Sequence, residues 1–389
     1  MSVRSIPALG MILNARDTYR ALEKAKKLKN VNYGVIGCGM MAREHIRNIA
    51  LLPGARVSVV YDPVADLAEA AASLAGGAHV AESLEELLTF AALDALVIVS
   101  PNNLHVNQLR EIAARRPLPI LCEKPLYTNA SDAAVIDDLR ATYPHPIWVA
   151  MEYRYMPPVA ALIDQVVEAT GGVTMLSIRE HRFPFLPKIG DWNRFNENTG
   201  GTLVEKCCHF FDLMHFILKS DPVQVMASAG QVLNHKEERY GGRTPDIWDS
   251  GYVIVDFASG ARAMLELCMY AEGSRYQEEI SAVGPSGKIE AFVPGPGRFW
   301  PTNLGPAPVP QLIVSPRNPK GPFAVDIPVD PALLAAGDHN GSTFYQHQRF
   351  NAVVRGEGIV EVTLDDGARA VAMGLAAQES ARTGKAVAL

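Results

Sequence analysis

A chain of 389 residues, 48% hydrophobic and 20% charged, is too long for one ordinary domain and too apolar to be disordered. Its net charge of −6, with no long basic run, argues against a nucleic-acid partner. Five cysteines without paired spacing argue against a disulfide framework and for a reducing compartment, the cytoplasm, and no apolar run reaches the ~18 residues of a membrane span.

Residues 1–30 read as an N-terminal extension. The first 13 hold one arginine and a short apolar patch broken by Gly10, which makes a poor secretory signal. The stretch 14–30, with Lys24, Lys26, Lys27 and Lys29, reads as a short basic amphipathic helix packed on the fold. From 31 to 152, apolar runs at 33–37, 57–61, 95–100, 119–122 and 146–151 alternate with helical patterns at 42–52, 65–74, 84–90, 104–115 and 131–141. Strands apolar on both faces, alternating with helices, predict an α/β, doubly wound parallel sheet of the Rossmann type. After Tyr153-Arg154 the pattern changes. Alternating runs at 174–181, 223–232, 250–257, 261–270 and 278–283 predict an open, mostly antiparallel sheet with one face covered, within a second α/β domain over 153–389. Gly284-Pro285-Ser286-Gly287 marks a turn. Residues 284–331 hold twelve of the 27 prolines, which predicts an extended loop rather than a helix or a central strand. Helices follow at 343–354 and 364–383; the last is stopped by Gly384 and can pack back on the first domain.

The turn Gly37-Cys38-Gly39-Met40-Met41-Ala42 sits between the first strand and its helix. Gly37 allows a tight turn, and Gly39 lets a pyrophosphate approach the backbone. The small Ala42 lets helix and strand pack closely. Phosphates then lie at the helix N-terminus, beside Cys38, Met40 and Met41. Asp62 ends the second strand, 25 residues after Gly37. A carboxylate there accepts from ribose hydroxyls and repels a 2′-phosphate, so NAD is favoured over NADP; the alternative is a solvated strand-end acid. Ser100-Pro101-Asn102-Asn103-x-His105 follows the third strand, at the carboxyl edge where such sheets bind ligands. Ser100 and Asn102 are candidates for the nicotinamide side. His105 either joins them or caps the following helix.

Glu123-Lys124-Pro125 ends a buried run on the same rim. From there Glu123 and Lys124 can reach a nicotinamide ribose, and Lys124 a substrate hydroxyl, which points to hydride-transfer chemistry. In the second domain, Gly200-Gly201 precedes a helical segment on which Glu205 and His209 are four apart and share one face with Asp212. An imidazole can take the proton of an alcohol as hydride leaves, because its free pKa lies near neutrality. A neighbouring carboxylate can orient it or hold a second hydroxyl. Zinc fits poorly, because adjacent residues on a helix point ~100° apart and Cys207, Cys208 and His209 cannot converge on one ion. No metal is expected.

Together these residues resemble the glucose–fructose oxidoreductase / inositol dehydrogenase family, often called Gfo/Idh/MocA, over about residues 31–389. The resemblance rests on the glycine turn, Ser100 to His105, Glu123-Lys124-Pro125, Tyr153-Arg154, Gly200-Gly201 through His209, and the ending Ala376 to Gly384. It implies a Rossmann domain, a C-terminal domain whose open sheet makes oligomer contacts, and NAD(P)-dependent chemistry on a secondary hydroxyl of a sugar or cyclitol. It places the family lysine at Lys124 and the family histidine at His209. This chain departs from the pattern with Glu205 for the usual aspartate, Cys207 for a glycine and Thr202 for the third glycine of the run. The substrate pocket should therefore be reshaped.

Substrate is expected between Lys124, His209 and the nicotinamide, lined by Glu152, Tyr153, Arg154, Arg182, Trp192, Arg194 and Glu205. The Tyr153 and Trp192 rings suit a sugar. His181-Arg182 and Lys188 either point inward, which suits an anionic sugar, or are solvated loop charges. His339-Asn340-Gly341-Ser342 either approaches the pocket or only starts a helix. The expected activity is NAD-dependent dehydrogenation of a sugar, a sugar derivative or an inositol by a homo-oligomer, dimer or tetramer. An alternative is a glycosidase that oxidises its substrate transiently, eliminates the aglycone, adds water and reduces the ketone again. A non-catalytic sensor is the third reading, and the retention of Lys124 and His209 together argues against it.

Overall fold

The computed structural model describes residues 30–389. The basic helix expected at 14–30 lies, but for its last residue, outside the described residues. Strands β1 (Val31–Ile36), β2 (Ala55–Tyr61), β3 (His79–Val80), β4 (Ala95–Ile98), β5 (Ile120–Cys122) and β6 (Ile147–Val149) form one sheet in the order β3-β2-β1-β4-β5-β6. Every pairing in it is parallel. All residues of β1, β4, β5 and β6 are buried, which is why these strands read as continuous apolar runs. Strand order reverses at β1, so the crevice at its carboxyl end, between β1 and β4, is the switch point of a doubly wound sheet.

The second sheet has nine strands: β7 (Met175–His181), β8 (Pro222–Gly230), β9 (Ser250–Phe257), β10 (Arg262–Cys268), β11 (Glu278–Gly284), β12 (Gly287–Val293), β13 (Gln311–Pro316), β14 (Phe323–Asp326) and β15 (Val387–Ala388). Their order is β14-β13-β12-β11-β7-β10-β9-β8-β15, antiparallel throughout except between β7 and β10. Burial alternates along β7, β9, β10, β11 and β12, as a sheet covered on one side requires. Helices Pro157–Thr170 and Leu364–Thr383 pack on the inner face, and helix Cys208–Leu218 packs against the latter.

Two expectations need correction. Residues 284–331 are not one extended loop, because β12, β13 and β14 lie in that stretch and β12 is interior to the sheet. The prolines fall between these strands or at the last position of β13, Pro316, so the ladders keep their donors. The helix Pro157–Thr170 has no counterpart among the expected elements. Its Pro157-Pro158 pair reads as a breaker, yet it occupies the first helical turn, where no N–H is needed.

The two sheets share a boundary. Helix Ser342–Val354 packs on helix Met40–Ala50, and the Val149 N–H donates to the Val362 carbonyl at 3.1 Å. Gly367, in the last helix, lies against Val149, and a Cβ there would come within 2.9 Å of that side chain. The last helix lies against β6, and the carboxyl edge of the first sheet faces the second domain across a cleft.

Candidate active site

A cavity of about 420 Å³ occupies this cleft and runs from Asp62 to Lys188 and Lys206. At its first end stands the glycine turn. Gly37 has φ +92°, and a Cβ on it would lie 2.6 Å from the Ser100 backbone nitrogen, so only glycine fits. A Cβ on Gly39 would meet nothing within 4 Å; its backbone opens on the cavity at the start of helix Met40–Ala50, with Met40 and Met41 beside it. That is the cradle a diphosphate needs. The Asp62 carboxylate accepts the Cys38 N–H at 2.7 Å and the Val64 N–H at 2.9 Å, which fixes it on the cavity rim. Cys38 does not line the cavity itself; burial, with Asp62 beside it, pushes its thiol up to about 12.

Ser100, Asn102, Glu123 and Lys124 line the middle. Asn102 is buried, and its Nδ2 has no partner among the described residues, so it is free for a carbonyl or ribose oxygen. The Ser100 hydroxyl donates to Gln108 Oε1 at 2.6 Å. His105 neither faces the cavity nor caps its helix. It lies buried between the Ser100 and Pro125 carbonyls, at 3.1 and 2.8 Å, and ties the two rim loops together. Glu123 is held 3.0 Å from His45 Nε2 and accepts the Lys124 N–H at 3.1 Å. Burial opposes charge on both groups, but their mutual hydrogen bond and attraction win, lowering Glu123 and raising His45. His45 Nδ1 then meets Nε2 of His347 at 2.7 Å; burial, followed by the charge on His45, drives His347 well below its ordinary value and keeps it neutral.

At the far end Lys124 donates from Nζ to the Glu205 carbonyl at 3.1 Å, with its remaining protons directed elsewhere. His209 lies face to face on Tyr153, ring centres 3.9 Å apart and planes 3° from parallel. Its Nδ1 has no partner among the described residues, and burial, followed by the charge on Lys124, holds its pKa well below 6.5. Glu205 Oε2 is likewise without a partner. Glu205 and His209 do not share one continuous helix: Thr202–Glu205 and Cys208–Leu218 are separate, interrupted at Lys206-Cys207. Both still reach the cavity. Asp212 turns away to Arg154.

Tyr153, Arg182 and Trp192 line the cavity, as does Glu152. Arg154 and Arg194 do not. Arg154 is buried in a two-pronged ion pair with Asp212, at 2.6 and 2.5 Å, and donates to the Glu361 carbonyl at 2.9 Å. Arg194, 2% exposed, bonds Glu238 at 2.9 Å. Desolvated guanidinium groups need such partners, and these partners lie far away in sequence.

Lys188 lies on the cavity wall, and His339 also reaches it. The sequence reading passed over Lys206, which stands between two motif positions; burial, then Arg182, lower its ammonium to about 7. It also passed over Glu44 and Thr343. His339 Nδ1 lies 2.8 Å from Glu44 Oε1, and Thr343 Oγ1 lies 2.9 Å from Glu44 and 2.5 Å from Glu152. Two charged residues, Glu44-His45, on the buried side of the helix after a glycine turn were the available signal.

A parallel sheet with a glycine cradle at its switch point, opening on a cavity that faces a second domain, is the arrangement of a nucleotide-binding protein. Residues 31–150 match the model of an oxidoreductase family NAD-binding Rossmann fold, and residues 167–389 that of the family's C-terminal alpha/beta domain. The chain belongs to the Gfo/Idh/MocA oxidoreductase family, and its first domain is an NAD-binding Rossmann domain. It is 31% identical over 279 residues to an inositol 2-dehydrogenase of Cereibacter sphaeroides, covering 70% of this chain and 76% of that protein. It is 25% identical to the rhizopine catabolism protein MocA of Rhizobium meliloti, over 69% of this chain and 78% of that protein. The solved structure of a myo-inositol dehydrogenase from Lactobacillus casei, in complex with NAD(H) and myo-inositol, superposes with a TM-score of 0.69 at 22% identity, covering 92% of this chain and 97% of that one. Among the described residues no helix is long and apolar enough to cross a membrane.

Proposed function

We propose that this chain is an NAD-dependent dehydrogenase acting on a secondary hydroxyl of a sugar, a sugar derivative or an inositol. The observation that carries this reading is the meeting of the glycine cradle and Asp62 with Lys124, Glu205 and His209 in one cavity. Inositol 2-dehydrogenases among the relatives support a polyol substrate. Gly37, Gly39, Met40 and Met41 would hold the diphosphate. Asp62 would take the adenosine ribose and disfavour a 2′-phosphate, and Ser100, Asn102 and Glu123 would face the nicotinamide. Bound NAD supplies the hydride acceptor. Lys124 donates a hydrogen bond to the reacting hydroxyl and offsets the negative charge that develops on it. His209, kept neutral by burial, accepts the proton, and the stacked Tyr153 ring fixes the imidazole plane. Glu205 holds a neighbouring hydroxyl through its free oxygen. In this reading the substrate domain spans 153–389, and the protein works as a cytoplasmic homo-oligomer.

The test is proton NMR in D2O of the protein with NAD and a panel of inositols, free sugars and glycosides. Accumulating NADH together with a ketone product is the expected result. Release of an aglycone without net NADH, with deuterium entering the ring beside the oxidised carbon, would overturn it in favour of redox-neutral glycoside cleavage.

A further inference from the structure

The wall opposite the glycine turn carries more positive charge than a neutral polyol requires. Arg182 just beyond β7, Lys188 in the following loop and Lys206 in the helix break all line the cavity beside Lys124. Arg182 donates from Nη1 to Glu180 at 2.7 Å, while its Nε is buried without a partner among the described residues. The guanidinium of Arg182 lies 4.6 Å over the Phe183 ring, and the Lys206 ammonium 4.8 Å over the Phe185 ring. Those aromatic faces shield the cations but offer no carboxylate oxygen. The acid beside Lys206, Glu205, stands 3.8 Å away, beyond hydrogen-bond distance. The Lys188 ammonium has no hydrogen bond or ion pair among the described residues, and burial lowers its pKa.

A count of charge narrows the ligand. Glu180 offsets Arg182, and Glu205 offsets one of the two lysines. Glu278, behind Arg182, is pushed up to about 8 by burial and by Glu180, so it adds little negative charge at neutral pH. With Lys124 reserved for the reacting hydroxyl, one positive charge on this wall is left uncompensated when Lys206, lowered to about 7, carries its proton, and an anion bound beside it favours that form.

We propose that Arg182, Lys188 and Lys206 form a subsite for a carboxylate on the substrate, so that the substrate class is a polyhydroxy acid of the uronate or aldonate type rather than a neutral sugar or inositol. The assignment rests on the dehydrogenase reading only in placing substrate in this cavity. A carboxylate matches the single uncompensated charge and the remaining donors of the Arg182 fork. A phosphate dianion brings one negative charge more than the wall neutralises.

The test is calorimetric titration of the full chain saturated with NADH. The probes are glucose, glucuronate, gluconate and glucose 6-phosphate, then galactose and galacturonate. At least one acid is expected to bind roughly tenfold or more tightly than its neutral counterpart. Lys188→Gln and Lys206→Gln should each lower that preference by about fivefold or more, and Lys206→Arg, which keeps the charge, should retain it. Acids that bind no tighter than neutral sugars, a phosphate that binds tightest, or a preference surviving both glutamine variants overturns the subsite. NADH formation with the same probes separates the two proposals. Neutral sugars oxidised with no acid preference uphold the dehydrogenase and sink the subsite. An acid bound tightly but never oxidised keeps the subsite and sinks the dehydrogenase.

Discussion

Proton accounting at single residues orders this cavity. Thr343 has one hydroxyl proton but touches two carboxyl groups, Glu44 at 2.9 Å and Glu152 at 2.5 Å. Only one contact can be its own donation, so the other is made by a protonated carboxyl. Glu152 is the carboxyl pushed toward that form: burial, with the Glu44 and Glu123 charges nearby, raises its pKa despite the opposing pull of His339. Glu44 is the ionised one. Burial would raise it, but His339 outweighs burial and holds it at about 2. Burial would lower His339, and Glu44, 2.8 Å from its Nδ1, instead raises it to about 10. The sign of the pH effect follows. The raised His339 contributes stability in full below its ordinary 6.5 and loses it as pH climbs through about 10. The lowered Glu44 contributes above its ordinary 4.5 and loses it only toward about 2. His339→Gln should therefore lower the melting temperature most at about pH 6, and the gap from the parent should narrow toward about pH 10; an unchanged gap removes the ion pair from the account. At the reacting end, Lys124→Ala and His209→Ala should each cut turnover by about a hundredfold or more, as loss of a positioned proton donor or acceptor does. Near-normal turnover in either removes that residue from the mechanism. Lys124 and His209 were legible because their local motifs carry them. Glu44, His339 and Thr343 were not, because they meet across about three hundred residues of chain, and Arg154 and Arg194 carry no local sign of their distant partners.

At the scale of elements, legibility followed periodicity. The alternating run at 250–257 coincides with β9, and the fully apolar runs coincide with the buried parallel strands to within a few residues. Periodicity failed where composition was averaged over strand and linker together, as in the proline-rich stretch that hides β12, β13 and β14. It also failed at Lys206-Cys207, where a helix break leaves the apolar pattern of the segment intact. The glycine turn joins element to chemistry most directly. Gly37 must hold φ +92° within reach of Ser100, whose backbone cannot swing aside as a side chain can. Gly37→Ala combines a strained backbone with a collision at 2.6 Å, and should cost about 1–3 kcal/mol of stability or more. It should weaken NAD binding as well, because the turn presents the diphosphate cradle. Thermal unfolding and a fluorescence titration with NADH check both effects. A variant as stable as the parent, with unchanged NADH affinity, would show that the turn tolerates a side chain.

For the whole molecule the deciding feature is a sheet with helices on one side only. Cross-strand register places Met226, Ile254 and Met264 in one row on the outer face of β8, β9 and β10, with Tyr252 in the next row. Tyr252 is 57% exposed, Ile254 43% and Met226 39%. Large side chains grouped this way on one flat face are a poor solvent surface. Around them Arg179 pairs with Glu279 and His181 with Glu266 on the same face, giving an apolar patch a polar border. A second copy presenting the same patch about a two-fold axis would cover both at once, since isologous contact needs only one self-complementary surface. We therefore expect light scattering to give a mass that is a multiple of 42.2 kDa. The double variant Tyr252→Asp, Ile254→Asp should fall to 42.2 kDa with its circular dichroism unchanged, because both side chains point away from the core. A parent already at 42.2 kDa, or a folded variant that keeps the larger mass, removes this sheet as the assembly face. Neither result touches the cavity, which is built from one copy of the chain.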